Sequence, residues 1–242
     1  VSSNLPEYGN VQVVREDPKN RDLLYVGTEF GLFISLDAGK SWQKFMNNYP
    51  TVRTDDILVH PRDGDLIIGS HGRSVWIADD ITPLQQLTQA VKDADAHLFD
   101  VRAVVAFLND RQDGQQVAGQ KLWVGENAPR GAAINYYLKA AASGAVKVSV
   151  SDAQGRTLCS SDGPNTAGIN RVRWNLSAPM IAGQGGGAAF GGGGGGRGGP
   201  AGPPNTSCAG AAGGRGGGGG GFGGGGGGAV AAGTYNVTLS VN

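Results

Sequence analysis

The chain has 242 residues, with 20 basic and 20 acidic side chains, 39% hydrophobic and 17% charged residues, and 44 glycines. Residues 183–228 hold 28 of those glycines, so the remainder has the glycine content of an ordinary folded protein; without Arg197 and Arg215 its net charge is −2. That balance implies no basic surface for nucleic acid, and the apolar run 101–108, which contains Arg102, is far shorter than the ~20 residues of a membrane-spanning helix.

The chain begins without Met or a signal-peptide pattern over residues 1–8, which reads as a cut inside a larger architecture. From there short β-prone runs alternate with turn residues. Asp17-Pro18-Lys19-Asn20 precedes Asp22-Leu23-Leu24-Tyr25-Val26, then Gly27-Thr28-Glu29, the run Leu32-Phe33-Ile34 and Asp37. At an offset of 42 the succession returns as His60-Pro61-Arg62-Asp63, Asp65-Leu66-Ile67-Ile68, Gly69-Ser70-His71, Val75-Trp76-Ile77 and Asp79, with the Pro turn one residue shorter. Each copy predicts strand, Pro/Asp/Asn turn, strand, Gly-rich turn, strand, and two such copies are units that stack to bury their faces.

Within the first copy, Ser35, Asp37, Gly39 and Trp42 have the spacing SxDxGxxW. A turn carboxylate accepts hydrogen bonds from its own backbone, Gly39 supplies a positive φ, and Trp42 folds back over the hairpin. These four residues are therefore expected to build the fold rather than to catalyse. The second copy keeps Asp79 but loses the Gly and Trp. In their place Thr82-Pro83 predicts one helix, with Thr82 as N-cap, Pro83 at the first helical position and Leu84, Leu87 and Val91 on one face. Residues 88–119 read as helix and connector.

A second pattern starts with a strand at Trp123. Ile134–Leu138 reads as a strand, and Ala145–Ser151 turns through Asp152-Ala153-Gln154-Gly155 into Arg156–Cys159 as a hairpin. Val172, Trp174 and Leu176, and later Tyr235, Val237, Leu239 and Val241, alternate with polar residues as one-sided strands do. Five or more short strands in residues 120–242 are the pattern of a small β-sandwich, interrupted by the glycine-rich insertion 183–228. With only Phe190 and Phe222 as large apolar side chains, that insertion is expected to be flexible coil; ordered polyglycine packing is the alternative. Its two Arg-Gly-Gly triplets carry too little charge for RNA, and its GxGxxG matches have no strand before them or helix after them. Cys159 and Cys208 lack CxxC or Cys/His spacing; in an oxidising compartment one bridge between them would pin the insertion to the sandwich. Triplets for N-glycosylation at Asn175, Asn205 and Asn236 fall in strands or in the insertion and carry little weight.

His60, His71 and His97 are too scattered for a metal site, and no HExxH or GxSxG occurs. Neither a catalytic residue nor a cofactor is expected. The best polar cluster is Glu29, His71 and Arg73, because Glu29 and His71 occupy one place in the two copies. It reads either as a ligand-binding trio or, the favoured reading, as hydrogen bonds and ion pairs between units. Asp55-Asp56 and Asp79-Asp80 suit turn-stabilising roles.

The segment DPKNRDLLYVGTEFGLFISLDAGKSW, followed by VHPRDGDLIIGSHGRSVWIADDITPLQQL, resembles the last two blades of bacterial secreted β-propellers related to the sortilin ectodomain, and SxDxGxxW resembles their Asp-box, the BNR repeat. Asn127–Ala132, Asn170–Leu176 and Ala232–Val237 resemble the Ig-like domain found after such propellers and in flagellar hook-capping proteins, with Ala232 where those relatives commonly have Pro. The resemblance implies an all-β chain: two blades over 1–87, a connector over 88–119, and an Ig-like β-sandwich over 120–242. It further implies a secreted, periplasmic or cell-surface binding or scaffold protein, with a glycan or peptide ligand and the missing blades as partners. Relatives are often labelled glycosyl hydrolases, so a sialidase-like enzyme with its catalytic residues upstream is one alternative; a surface assembly protein is another.

Overall fold

The structure, a computed structural model, describes residues 4–106, 131–179, 208 and 227–242. The expected strand at Trp123, the match at 127–130, Asn205 and nearly all of the insertion lie outside the described residues. The chain is mostly antiparallel β-sheet. No helix among the described residues is long and apolar enough to cross a membrane. Two compact units divide it, residues 1–100 and 101–242, a boundary inside the expected connector.

The first unit contains a four-stranded sheet of β1 (Val11–Glu16), β2 (Leu24–Thr28), β3 (Gly31–Ser35) and β4 (Gln43–Lys44) in sequence order. A three-stranded sheet follows, β5 (Thr54–Val59), β6 (Leu66–Ser70) and β7 (Val75–Ala78). The first three strands of the two sheets are closed by equivalent backbone bonds. Glu29 N donates to Asn10 O (3.2 Å) as His71 N does to Arg53 O (2.8 Å). Asp17 N donates to Leu23 O (2.9 Å) as His60 N does to Asp65 O (2.8 Å), and Ala38 N to Asp22 O (2.9 Å) as Ile81 N does to Gly64 O (2.7 Å). A register shift lies at the same place in each, between Val11 and Val13 and between Thr54 and Asp56.

The register refines the sequence offset. β2 and β6 correspond at 42 residues, but Gly27 faces Leu32 where Gly69 faces Val75, so the Gly-rich turn of the second copy is one residue longer and the offset beyond it is 43. Asp37 therefore corresponds to Asp80 rather than to Asp79.

Two helices replace the one expected. In α1 (Thr82–Gln86) the N-cap is Ile81, without a side-chain cap, and Leu87 leaves the helical conformation at ψ 70°. The Thr82 hydroxyl donates to Asp80 Oδ1 at 2.6 Å and so is engaged away from the helix. The second helix, α2 (Gln89–Asp93), takes its cap from Thr88, whose hydroxyl accepts from Val91 N. A short strand, β8 (Ala96–Leu98), follows.

Inward residues of both sheets share one core, with Val13, Tyr25, Leu32 and Ile34 from the first packed with Ile57, Leu66 and Ile68 from the second and Ile81 beyond it. Trp42 is buried separately against Val26 and Phe33. Gly27 lets the sheets approach. A Cβ there would lie 2.7 Å from Thr54 Cγ2 and 2.8 Å from Thr54 O.

In the second unit β9 (Ala132–Leu138) pairs with β12 (Gly168–Trp174), and β10 (Val146–Ser151) lies between β11 (Thr157–Gly163) and β15 (Asn236–Val241). Alternation sets their inward faces: Val146, Val148 and Val150 on β10, and Val172 and Trp174 on β12, are buried. The hairpin turn is fastened by Asp152, which accepts from Gln154 N and Arg156 N and pairs with the Arg156 guanidinium at 3.0 Å. Burial pushes the Asp152 carboxyl up, but those bonds and the Arg156 charge outweigh it and hold it below the usual range. β13 (Ser177–Pro179) pairs with β14 (Gly227–Ala229), so the final residues of the expected insertion belong to a strand that closes its ends together.

Candidate functional site

The SxDxGxxW turn is built from hydroxyls and a carboxylate. Ser35 Oγ donates to Asp37 Oδ1 (2.7 Å) and accepts from Gly39 N (2.8 Å), while Asp37 accepts from Ser41 N (2.8 Å) and from the Ser41 hydroxyl (2.5 Å). Ser41 is not among the four motif residues but contributes the most to Asp37. Its hydroxyl, its N–H and Ser35 hold the Asp37 carboxyl down to about 2. A carboxylate so held neither donates nor takes up a proton near neutral pH. Gly39 has φ 82° and Ala38 φ 56°, the left-handed turn the motif requires. Trp42 is clamped by its backbone, its N–H donating to Asn4 Oδ1 (2.8 Å) and its carbonyl accepting from Asn4 Nδ2 (2.7 Å).

A second carboxylate, which sequence reading did not single out, is Asp17. It is 1% exposed and accepts from Tyr25 Oη (2.9 Å), Gln85 Nε2 (2.9 Å), Lys19 N (2.8 Å) and Asn20 N (3.1 Å). Burial first, and then the Asp17 charge, raise the Tyr25 hydroxyl far above its ordinary value, so it stays a donor. This site stitches the Pro turn to α1. Its signal in the sequence is Asp before Pro-x-Asn, which reads as a turn; the Gln85 partner, 68 residues away, leaves no local trace.

Glu29, His71 and Arg73 stand at the same end of the strands, but no hydrogen bond or ion pair joins the three. Each of the first two instead pairs with the foot of its own unit. Glu29 Oε1 accepts from Asn10 Nδ2 (3.3 Å), and His71 Nδ1 lies 3.1 Å from Asp55 Oδ2. Arg53 Nε donates to Asp55 Oδ1 at 2.6 Å, so Asp55 bridges Arg53 and His71. Arg53 is the main reason, ahead of His71, that the Asp55 carboxyl lies below its usual range. Beside this triad, Trp76 donates its indole N–H to Arg73 O (2.8 Å), and its ring meets Tyr49 edge-on at 5.6 Å. The neighbouring Asp56 points elsewhere, to Arg15 at 2.7 Å, an ion pair between the two sheets.

Arg53, Asp55 and His71 thus form an exposed, polar, hydrogen-bonding patch. With its carboxylate pinned between a guanidinium and an imidazole, the patch suits recognition of hydroxyl or amide groups better than proton transfer. Among the described residues no group of three or more His, Cys, Asp or Glu side chains is placed to hold a metal ion.

In the second unit a groove of about 660 Å³ is lined by Val104, Trp174, Leu176, Val230, Tyr235 and neighbouring backbone, with Arg102 as its one charged lining residue among those described. Cys159 on β11 and Cys208 are joined by a disulfide, and Cys208 O accepts from Asn175 N (2.9 Å). No family model matches the chain, and no match was found among curated proteins or among solved structures.

Proposed function

We propose that the chain is the C-terminal part of a secreted Asp-box β-propeller related to the sortilin ectodomain: two blades followed by an Ig-like β-sandwich, acting as a non-catalytic binding or scaffold module at the cell exterior. The observation that supports this most is an asymmetry between repeat-equivalent glycines. At Gly27 a Cβ would collide with Thr54 of the following sheet, whereas at Gly69 the nearest atoms, all from Asp56 of its own sheet, lie 3.7 to 3.9 Å away. Gly69 keeps the residue that close approach demands without a sheet that approaches, as the terminal member of a stacked array would.

The ligand site in this reading is the Arg53–Asp55–His71 patch, and a glycan is the ligand class it fits. Planar charged groups sharing hydrogen bonds beside an aromatic pair offer donors and acceptors to sugar hydroxyls. An extended peptide is the competing class. Titrating the full chain with sialylated and neutral oligosaccharides, and separately with unstructured peptides, tests the reading. Glycan affinity should fall about tenfold in Asp55→Asn and in His71→Ala, equivalent to about 1.4 kcal/mol, with no sugar released. Release of reducing sugar would favour the glycoside hydrolase alternative; binding unchanged in both variants would remove the patch as the site.

A further inference from the structure

β3 and β7 are equivalent strands with unequal outer edges. On β3 the edge is covered by β4, with Phe45 N donating to Leu32 O at 2.9 Å. The positions that would supply a fourth strand beside β7, residues 86 and 87, lie at the end of α1 instead. The register places Ser74, Trp76 and Ala78 toward β6, with Ser70 N donating to Ser74 O (3.2 Å), so Val75 and Ile77 turn their N–H and C=O groups outward, as Leu32 does in the first sheet. No hydrogen bond among the described residues reaches those four groups.

The side chains of this edge are apolar and exposed, with no cover among the described residues. Val75 is 63% and Ile77 59% exposed, while Trp76 and Ala78, on the other face, pack against the core. The strand lacks the lysine, proline or bulge with which edge strands are ordinarily blunted. Exposed Arg73 and Asp79 flank it, and among the described residues neither side chain has a hydrogen-bond or ion-pair partner.

We propose that β7 pairs antiparallel with β7 of a second copy of this chain. The segment Arg73-Ser74-Val75-Trp76-Ile77-Ala78-Asp79 is self-complementary about Trp76. A two-fold axis there sets Val75 opposite Ile77 of the second copy, so the outward N–H and C=O groups of both residues meet in hydrogen-bonded pairs. The same axis brings Arg73, in the turn that leads into β7, and Asp79 of the second copy to the same end of the contact, twice. Such an isologous contact closes on itself and uses up the β7 edge of both copies. This contact does not depend on the binding role proposed above.

Sedimentation velocity on the full, oxidised chain across a range of micromolar concentrations tests it. The wild type should dimerise, more weakly at high salt. Arg73→Asp and Asp79→Arg, each alone, should weaken dimerisation at least about tenfold through paired like charges. Mixing the two variants should restore a heterodimer, because every charged pair is then opposite in sign, and the double swap should restore the homodimer. The restoration also shows that both variants are folded. A wild type monomeric throughout, as when another part of this chain covers the edge, would overturn the proposal. A dimer indifferent to both substitutions would overturn it as well.

Discussion

Gly27→Ala and Gly69→Ala place the same methyl group at equivalent points of two repeated sheets, yet they should act in opposite directions. At Gly27 the added carbon falls 2.7 Å from both Thr54 Cγ2 and Val13 Cγ1 and 2.8 Å from Thr54 O. Relief requires a shift of several tenths of an ångström, and Thr54 cannot swing aside. It is fully buried, and its hydroxyl is hydrogen-bonded to Tyr49 Oη at 2.9 Å. Overpacking of this kind costs about 1–3 kcal/mol. At Gly69 the nearest contact is 3.7 Å, an ordinary van der Waals distance. Neither glycine has a positive φ, so alanine at Gly69 gains about 0.4–1 kcal/mol by restricting the unfolded chain.

The two variants should therefore differ by about 1.5–4 kcal/mol, a gap of at least about 6 °C in Tm for a unit of this size. Thermal and urea unfolding of the oxidised chain, with hydrogen exchange of the β2 and β5 amides to locate the change, measures it. Equal stability of the two variants would refute the argument, since it would mean that the second sheet does not press on β2.

Three further outcomes follow from the same contacts. The Asp37 carboxyl, held at about 2 against an ordinary 3.8, contributes stability that is present above the unfolded value and is lost as pH falls toward 2; Asp37→Ala should flatten that acid limb in pH-dependent melting, and an unchanged limb would assign it to other carboxylates. Asp17→Ala leaves Tyr25 Oη and Gln85 Nε2 buried without their acceptor and should cost about 2–4 kcal/mol, read as the denaturation midpoint, with Asp37→Ala costing less because Ser41, its main donor, reaches water. Cys159→Ser with Cys208→Ser removes a cross-link over 49 residues, worth about 4 kcal/mol on the chain-entropy account; reduction of the wild type should lower Tm by the same amount as the double variant.

The alternation of β-prone runs and turn residues made both sheets of the first unit legible, because each turn is closed by its own residues: Asp17, Asp37 and Gly39 act within a few positions of themselves. The hairpin at Asp152 was legible for the same reason. The helical segment is decided by local competition that the residue pattern does not rank. Thr82 looks like a helix cap until Asp80 takes its hydroxyl, and a single helix over 82–91 looks continuous until Leu87 breaks it. The offset of 42 shows the shorter Pro turn but not the longer Gly-rich turn after it, since the two compensating changes leave most of the pattern aligned.

The candidate site shows the same limit from the side of chemistry. Glu29 and His71 share a place in the repeat: both N–H groups donate to the residue just before the first strand of their sheet, Asn10 or Arg53. Repeat equivalence, however, fixes where a backbone goes and not what its side chain meets. Asn10 offers Glu29 an amide, while Arg53 and Asp55 offer His71 a charged pair, so one backbone position yields a single amide–carboxylate bond in the first copy and a three-residue polar cluster in the second. Asp37 and Asp80 diverge likewise, one satisfied by Ser35 and Ser41, the other by Thr82, while the backbone bond that closes their turn is kept in both copies. At the other end of the strands the backbone bond from Glu29 N or His71 N is kept in the same way while its side-chain surroundings differ, and there the second copy carries the Arg53–Asp55–His71 patch.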